Sequence, residues 1–277
     1  MTMPTSFGAH VRWWRVHRGL SQLDLAGAAG TTQRHLSFLE SGRTQPSRAM
    51  VLRLATALDV PLRQQNTLLL AAGFAPVWRE SSLDAPVLAM VNNALEHMLA
   101  QQEPFPAVVV DRRWNLLRAN AGAARLTAFL TVPGPTAAAT GPGNLAAWLL
   151  APDGLRPFLV NWHDVALYFL RGVQADAMAD GTQETAELLQ RLLAYLGVPA
   201  LSHVPALEEA PLPVLAMHFR KGQTALRLLT TIATLGTPQD VTVQELRIEC
   251  FFPADTETSQ VFKNWAVPAP REPGIAP

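Results

Sequence analysis

A chain of 277 residues exceeds what one hydrophobic core usually organises, so two domains are expected, and 49% hydrophobic against 16% charged residues excludes bulk disorder. The net charge of zero conceals an asymmetry: residues 1–75 hold eight Arg, no Lys and three acids (Asp24, Glu40, Asp59), a net +5 that leaves −5 on the remainder. The lone Cys250 excludes an internal disulfide framework and a thiolate metal site, and no apolar stretch approaches the roughly 20 residues of a membrane span, so a cytoplasmic protein without a signal peptide is expected. A basic module joined to an acidic body is the charge pattern of a protein with one domain on a polyanion.

The first 75 residues read as five helices. Phe7, Val11 and Trp14 share one face of a helix over about 6–17, which Arg18-Gly19 ends. Ser21 caps a second helix, 22–28, with Leu23 and Ala26 on its inner side. Ala28 to Gly30 turn the chain, and Thr31 caps a third helix, 32–40, anchored by Leu36 and Leu39 with Thr32, Gln33, Arg34 and Ser37 facing outward. After the break Gly42–Pro46, Ser47 caps a fourth helix with Val51, Leu54, Ala55 and Leu58 at helical spacing. A fifth runs from Pro61 to near Gly73.

The run from Leu20 to Gly42, with Ala26, Gly30 and the closing Leu39-Glu40-Ser41-Gly42, resembles the phage-repressor-type helix-turn-helix of the Xre family. That resemblance implies an all-α DNA-binding domain whose third helix enters the major groove of an operator. Gln33 then suits bidentate pairing with adenine and Arg34 the O6 and N7 of guanine, with Thr32 and Ser37 on the same face. Gln22, Arg43, Thr44 and Arg48 fall where the phosphate backbone is gripped. A homodimer on two half-sites about one helical turn apart follows from this geometry.

A linker is expected over 76–84, a second domain over 85–265 and a flexible Pro-rich tail over 266–277. Its helices read as 85–101 (Val87, Met90, Val91, Leu95 and Met98 inward), about 120–130 with Asn120 as cap, 145–150, 161–179 and 183–196. Residues 131–143 read as a loop. Two early strands, 106–111 and 114–119, and three late ones, 213–219, 224–235 and the alternating run 246–252, make an α+β domain with an antiparallel sheet. In the last strand Leu246, Ile248, Cys250 and Phe252 are expected to point inward and Glu245, Arg247 and Glu249 outward.

Pro76–Glu80, Val110-Asp111 with Trp114 and Ala119-Asn120, Asn161-Trp162 with Val165-Ala166, and Phe252–Asp255 resemble the ligand-binding domain of MmyB-like regulators. The resemblance implies a PAS-like fold with a largely apolar cavity and a fatty acid as effector. Trp148, Phe158, Trp162 and Phe169 are the candidate ligand-lining residues, though a filled core is the simpler reading for them; Arg118 and Asn161 are the polar candidates for a head group, Asn161 being more simply a helix cap. The alternative is a ligand-free dimerisation or protein-interaction module. The histidines show no metal-ligand spacing; His163 and His218 are considered as single haem ligands, with structural or surface roles preferred. No nucleophile elbow or phosphate-binding glycine loop is present, so no enzyme, no metal and no further cofactor are expected.

Overall fold

The computed structural model describes residues 6–131, 143–180, 182–195, 197, 214 and 216–267, and the chain forms two compact units. One comprises Met1–Leu88, Asp176–Ala186 and Leu235–Glu245; the other comprises Ala89–Ala175, Glu187–Thr234 and Leu246–Pro277.

The first unit is built on α1 (Phe7–His17), α2 (Gln22–Ala28), α3 (Gln33–Glu40), α4 (Arg48–Ala57) and α5 (Leu62–Ala71). Hydroxyl side chains of Ser6, Ser21, Thr32 and Ser47 accept backbone N–H groups at the starts of α1 to α4, satisfying donors the helices leave free. The third cap is therefore Thr32 and not Thr31, whose hydroxyl instead lies 2.9 Å from His35 Nδ1. Phe7, Val11, Trp14, Leu25, Leu36, Leu39, Val51, Leu54 and Leu68 make one core. Leu23, expected inside, is 64% exposed; Leu25 takes its place beside Ala26. Gly30 sits at φ +62° in the turn between α2 and α3, a left-handed conformation that glycine adopts without strain. At Gly8 the reason is proximity: a Cβ there would stand 2.4 Å from the Leu39 carbonyl oxygen, so only glycine lets α1 approach the end of α3.

The same unit contains α11 (Val241–Glu245), the short helix between the last two strands of the chain, which packs against α5. Arg63 of α5 is its anchor: Nε and Nη2 donate to Glu245 at 2.8 and 3.0 Å, while Nη1 donates to Glu80 at 2.8 Å. The Leu62 amide donates to Gln244 Oε1 at 2.7 Å, and Asp240 accepts from the amides of Ser81 and Thr242. Residues 76–84 are tied in too, Asn66 exchanging hydrogen bonds with the backbone of Val77 and Trp78.

In the second unit, β1 (Ala107–Val110), β2 (Leu116–Ala119), β3 (Ala216–Lys221), β4 (Thr224–Ala233) and β5 (Arg247–Pro253) form one antiparallel sheet in the order β2-β1-β5-β4-β3. Its helices are α6 (Ala89–Gln101), α7 (Ala121–Leu130), α8 (Leu145–Leu150), α12 (Thr256–Ala266) and most of α9 (Trp162–Asp180) and α10 (Gln183–Leu193). The expected inward residues of α6 are corrected: Leu95 and Leu99 are buried, whereas Met90 and the preceding Val87 are 85% and 61% exposed. Asn120 caps α7 as expected, and its amide also donates to the Leu99 and Phe105 carbonyls while Oδ1 accepts the Ala107 amide. One buried side chain thus joins α6, β1 and α7. Leu130, Leu150, Val165, Phe169, Val173, Leu192, Leu226 and Phe262 belong to the core over one face of the sheet. Leu196, the loop 132–142, Pro213 and the tail from 268 lie outside the described residues.

Candidate functional site

The third helix of the first unit presents Gln33 and Arg34 at its exposed start, with Thr32 as its cap and Ser37 half-buried one turn on. Arg43, Thr44 and Arg48 are exposed in the following loop and at the start of α4. The aromatic ring of Phe38, which the sequence reading passed over, holds two of these cations: the guanidinium carbons of Arg34 and Arg43 stand 5.5 and 5.8 Å from its centroid. Stacking of this kind contributes about 0.5–1 kcal/mol at an exposed site, enough to bias the arms toward one surface without locking them.

Gln22 is less free than expected, its amide donating to Glu40 Oε2 at 2.8 Å. Glu40 is itself held by Arg15, whose Nε and Nη2 donate to its two oxygens at 2.6 and 2.9 Å. Six of the eight arginines of this region divide by role. Arg15 and Arg63 hold carboxylates inside the unit, Arg18 donates to the Leu58 and Asp59 carbonyls at the end of α4, and Arg34, Arg43 and Arg48 remain at the surface around α3.

The second unit contains a cavity of about 50 Å³, open to water-sized molecules. Sheet residues Val108, Met217, Phe219, Glu249 and Phe251 form its floor. Ala123 and Leu126 of α7, Leu145, Trp148 and Leu149 of α8, and Phe169 of α9 close it from above. Of the six predicted ligand residues, Trp148 and Phe169 line it and the others do not. Phe158 packs against the core, and Lys221 Nζ lies 5.6 Å from its ring centroid. The Trp162 ring carries the Arg156 guanidinium at 3.8 Å. Arg118 is spent on Asn92 and Glu96 at the surface. Asn161 does not cap α9 with its side chain; its amide accepts the His218 N–H and donates to the Ala216 carbonyl, fastening the chain to β3.

The largest correction concerns β5. Register places Glu249 opposite Val108 of β1 and Phe251 opposite Thr230 of β4, so the odd-numbered residues face the cavity and Cys250 and Phe252 face away. Phe252 is 37% exposed, and Glu249 is 1% exposed. Neither Glu249 oxygen has a hydrogen-bond partner among the described residues. Burial pushes its carboxyl up to about 7, the nearby Thr230 hydroxyl and the Arg247 charge offsetting only part of that penalty. The thiol of Cys250 is pushed up as well, by its own burial and by Glu249.

Among the described residues no group of three or more His, Cys, Asp or Glu is placed to hold a metal ion, and no helix is long and apolar enough to cross a membrane. His163 is exposed and His218 half-buried at the β3 edge.

Residues 11–65 match the helix-turn-helix family, and residues 91–264 match the family described as the MmyB-like transcription regulator ligand binding domain. Both are regulator domains. No curated protein matches the chain. A solved structure described as "Structure of an RNA-binding Light-Oxygen-Voltage Receptor" is similar at 13% identity with a TM-score of 0.26; the match covers 92% of this chain and 59% of that one. With the second family model spanning more than half of its length behind a DNA-binding head, the chain belongs to the MmyB-like transcription regulators.

Proposed function

We propose that this regulator binds a DNA operator as a homodimer and that a small apolar ligand, held in a PAS-like C-terminal domain, shifts its affinity for that operator. The observation that carries the ligand half is the cavity over β1, β3 and β5, whose walls are almost wholly apolar. The sheet order β2-β1-β5-β4-β3, with helices inserted between β2 and β3, supports the PAS-like reading. A fatty acid is the effector the resemblance suggests, and a chain that fits the cavity is a short one unless the walls part.

The route from ligand to DNA runs along β5. This strand carries Glu249 and Phe251 at the cavity and begins two residues after Glu245, which Arg63 of α5 holds. A ligand changes DNA affinity only through a difference in its affinity for two arrangements. Movement of β5 pulls on a segment that is bonded to the DNA-binding unit, and this supplies such a difference. Arg63→Ala is expected to keep operator affinity within about threefold while removing the ligand response, since couplings of this kind amount to roughly 5–150-fold. A response of undiminished size in the variant overturns this route.

The test of the whole reading is titration of the protein's own upstream DNA with and without octanoic acid, alongside sedimentation of the complex. Specific binding by a dimer that the acid shifts is the expected result; specific binding indifferent to every apolar ligand tried leaves only the DNA-binding half. Within the interface, Arg34→Ala is expected to lose about 1–3 kcal/mol and relax preference at one base pair. Arg48→Ala is expected to weaken all sequences alike and reduce the slope of log affinity against log salt by about 1. Equal loss of discrimination in both variants contradicts these roles.

A further inference from the structure

Trp114 stands at φ +65°, in the left-handed region, within the turn between β1 and β2. For a bulky side chain that backbone is an outlier, kept only where the surroundings impose it. They do so from two sides. The Trp114 amide donates to the Asp111 carbonyl at 3.0 Å, in a turn where Asp111 Oδ1 also accepts the amides of Arg113 and Asn115. The Trp114 carbonyl accepts the Leu145 amide at 2.7 Å, at the first residue of α8. Trp114 is 3% exposed, yet its Nε1 has no hydrogen-bond partner among the described residues, so no such bond fixes the orientation of the ring.

Trp114 is not among the residues that line the cavity, but two of those that do touch it. Leu145 reaches it through the backbone bond, and the Phe169 ring meets the indole edge to face, centroids 4.9 Å apart. The guanidinium carbon of Arg247 lies 5.5 Å from the same indole centroid. Arg247 opens β5 opposite Val110 of β1, two residues after Glu245. Backbone strain of this kind clusters at ligand clamps and switch regions, and here it holds an indole between cavity-lining residues and the start of that strand.

We propose that Trp114 is the element that senses occupation of the cavity: a ligand displaces Phe169 and the start of α8, and the indole, turning in its strained frame, releases Arg247. Release shifts the first residue of β5 and, two residues earlier in the chain, Glu245 in the grip of Arg63. The inference rests on the reading of the cavity as the ligand site and names the residues by which occupation is felt outside it. Stacked and released Arg247 are then the two arrangements that a ligand response requires. A cation–π contact suits this role, because it is strong enough to bias the two populations and weak enough for a ligand to break.

The experiment uses the full-length protein at pH 6, where Glu249 is largely neutral with or without the Arg247 charge. Calorimetry with octanoic acid reports ligand binding, and titration of the upstream DNA reports its effect. Arg247→Ala is expected to bind the acid at least as tightly as the unaltered protein, since the stack no longer opposes it. Without ligand it is expected to bind the operator as the unaltered protein does with ligand, and to respond to the acid by less than about twofold, against the roughly 5–150-fold of such couplings. The melting curve of the variant shows that it folds. Fluorine NMR of protein made with fluorotryptophan follows the ring in the unaltered protein, whatever the fate of the variant. The Trp114 resonance, identified by its loss in Trp114→Phe or its displacement in Phe169→Leu, is expected to shift as the acid binds. An undiminished response in folded Arg247→Ala, or a Trp114 resonance that stays in place while that of the cavity-lining Trp148 moves, overturns the sensing role and leaves the ligand cavity standing. No binding of octanoic acid or octanol, with no tryptophan resonance moved, overturns the cavity reading and the relay together.

Discussion

Arg15→Ala is expected to lower the stability of the DNA-binding unit by about 3–5 kcal/mol, the cost of removing one partner of a buried ion pair, and to abolish operator binding through loss of the fold. The side chains of Arg15 and Glu40 are only 12% and 5% exposed, so the carboxylate left behind is shielded from water. Gln22 alone would then donate to it. The pair also closes the geometry of the head: Arg15 lies on α1, Glu40 ends α3, Gln22 begins α2, and Arg15 Nη1 donates to the Leu20 carbonyl at 3.0 Å between them. Hydrogen bonding to Glu40, with a smaller contribution from its charge, raises the Arg15 pKa further above its ordinary value, so the cation persists at every accessible pH. Against a domain stability of about 5–15 kcal/mol, the loss is a large fraction of the total. The double variant Arg15→Met with Glu40→Gln removes both charges and is expected to recover much of it. Thermal melts of the two variants decide: equal destabilisation would mean that the unpaired carboxylate is not the cause.

The helix-turn-helix was legible because its determinants are local. Ser6, Ser21 and Ser47 each cap the helix that follows them, and a cap needs only the next three residues. Leu23 was misplaced because a helix of seven residues makes two turns, too few for periodicity to choose between the Leu23 side and the Leu25 side. The families were readable over nearly the whole chain, whereas most of the cavity lining was not. In β5 both alternating sets hold apolar residues, Ile248, Cys250 and Phe252 against Phe251, and the charges of Arg247 and Glu249 point that second set toward solvent in any local reading. The face is decided by pairing with β1 and β4, strands well removed in sequence, and a strand does not carry its register alone. Asn161 failed for the same reason. Its position before α9 is that of a cap, and the partner that wins, the β3 backbone, lies more than fifty residues on. The short α11 and the Asp255-capped α12, with Phe262 fully buried, went unread beside the more conspicuous strand between them.

Raising the pH from 5 to 8 is expected to destabilise the C-terminal unit through Glu249 by about 3 kcal/mol. The carboxyl stays protonated in the folded chain to about pH 7, whereas the same group in the unfolded chain releases its proton near 4.5. Between these values the native state binds more protons than the unfolded state, so stability falls as pH rises, the loss beginning near 4.5 and levelling off above 7. The charged and polar groups facing Glu249 are Arg247 on its own strand and Thr230 on β4, and both favour the ionised form too weakly to reverse the effect of burial. The residues of α7, α8 and α9 that line the cavity with it carry no charge. Two other groups move outside this window or against it. Asp255, held low by Thr258 and Arg227, loses its contribution only at strongly acid pH, and burial raises the Cys250 thiol further above its ordinary value. The informative quantity is therefore the difference between the unaltered protein and Glu249→Gln, followed on the transition of the C-terminal unit. The variant is expected to gain on the unaltered protein steadily from pH 5 to 8, and parallel curves would falsify a neutral buried Glu249.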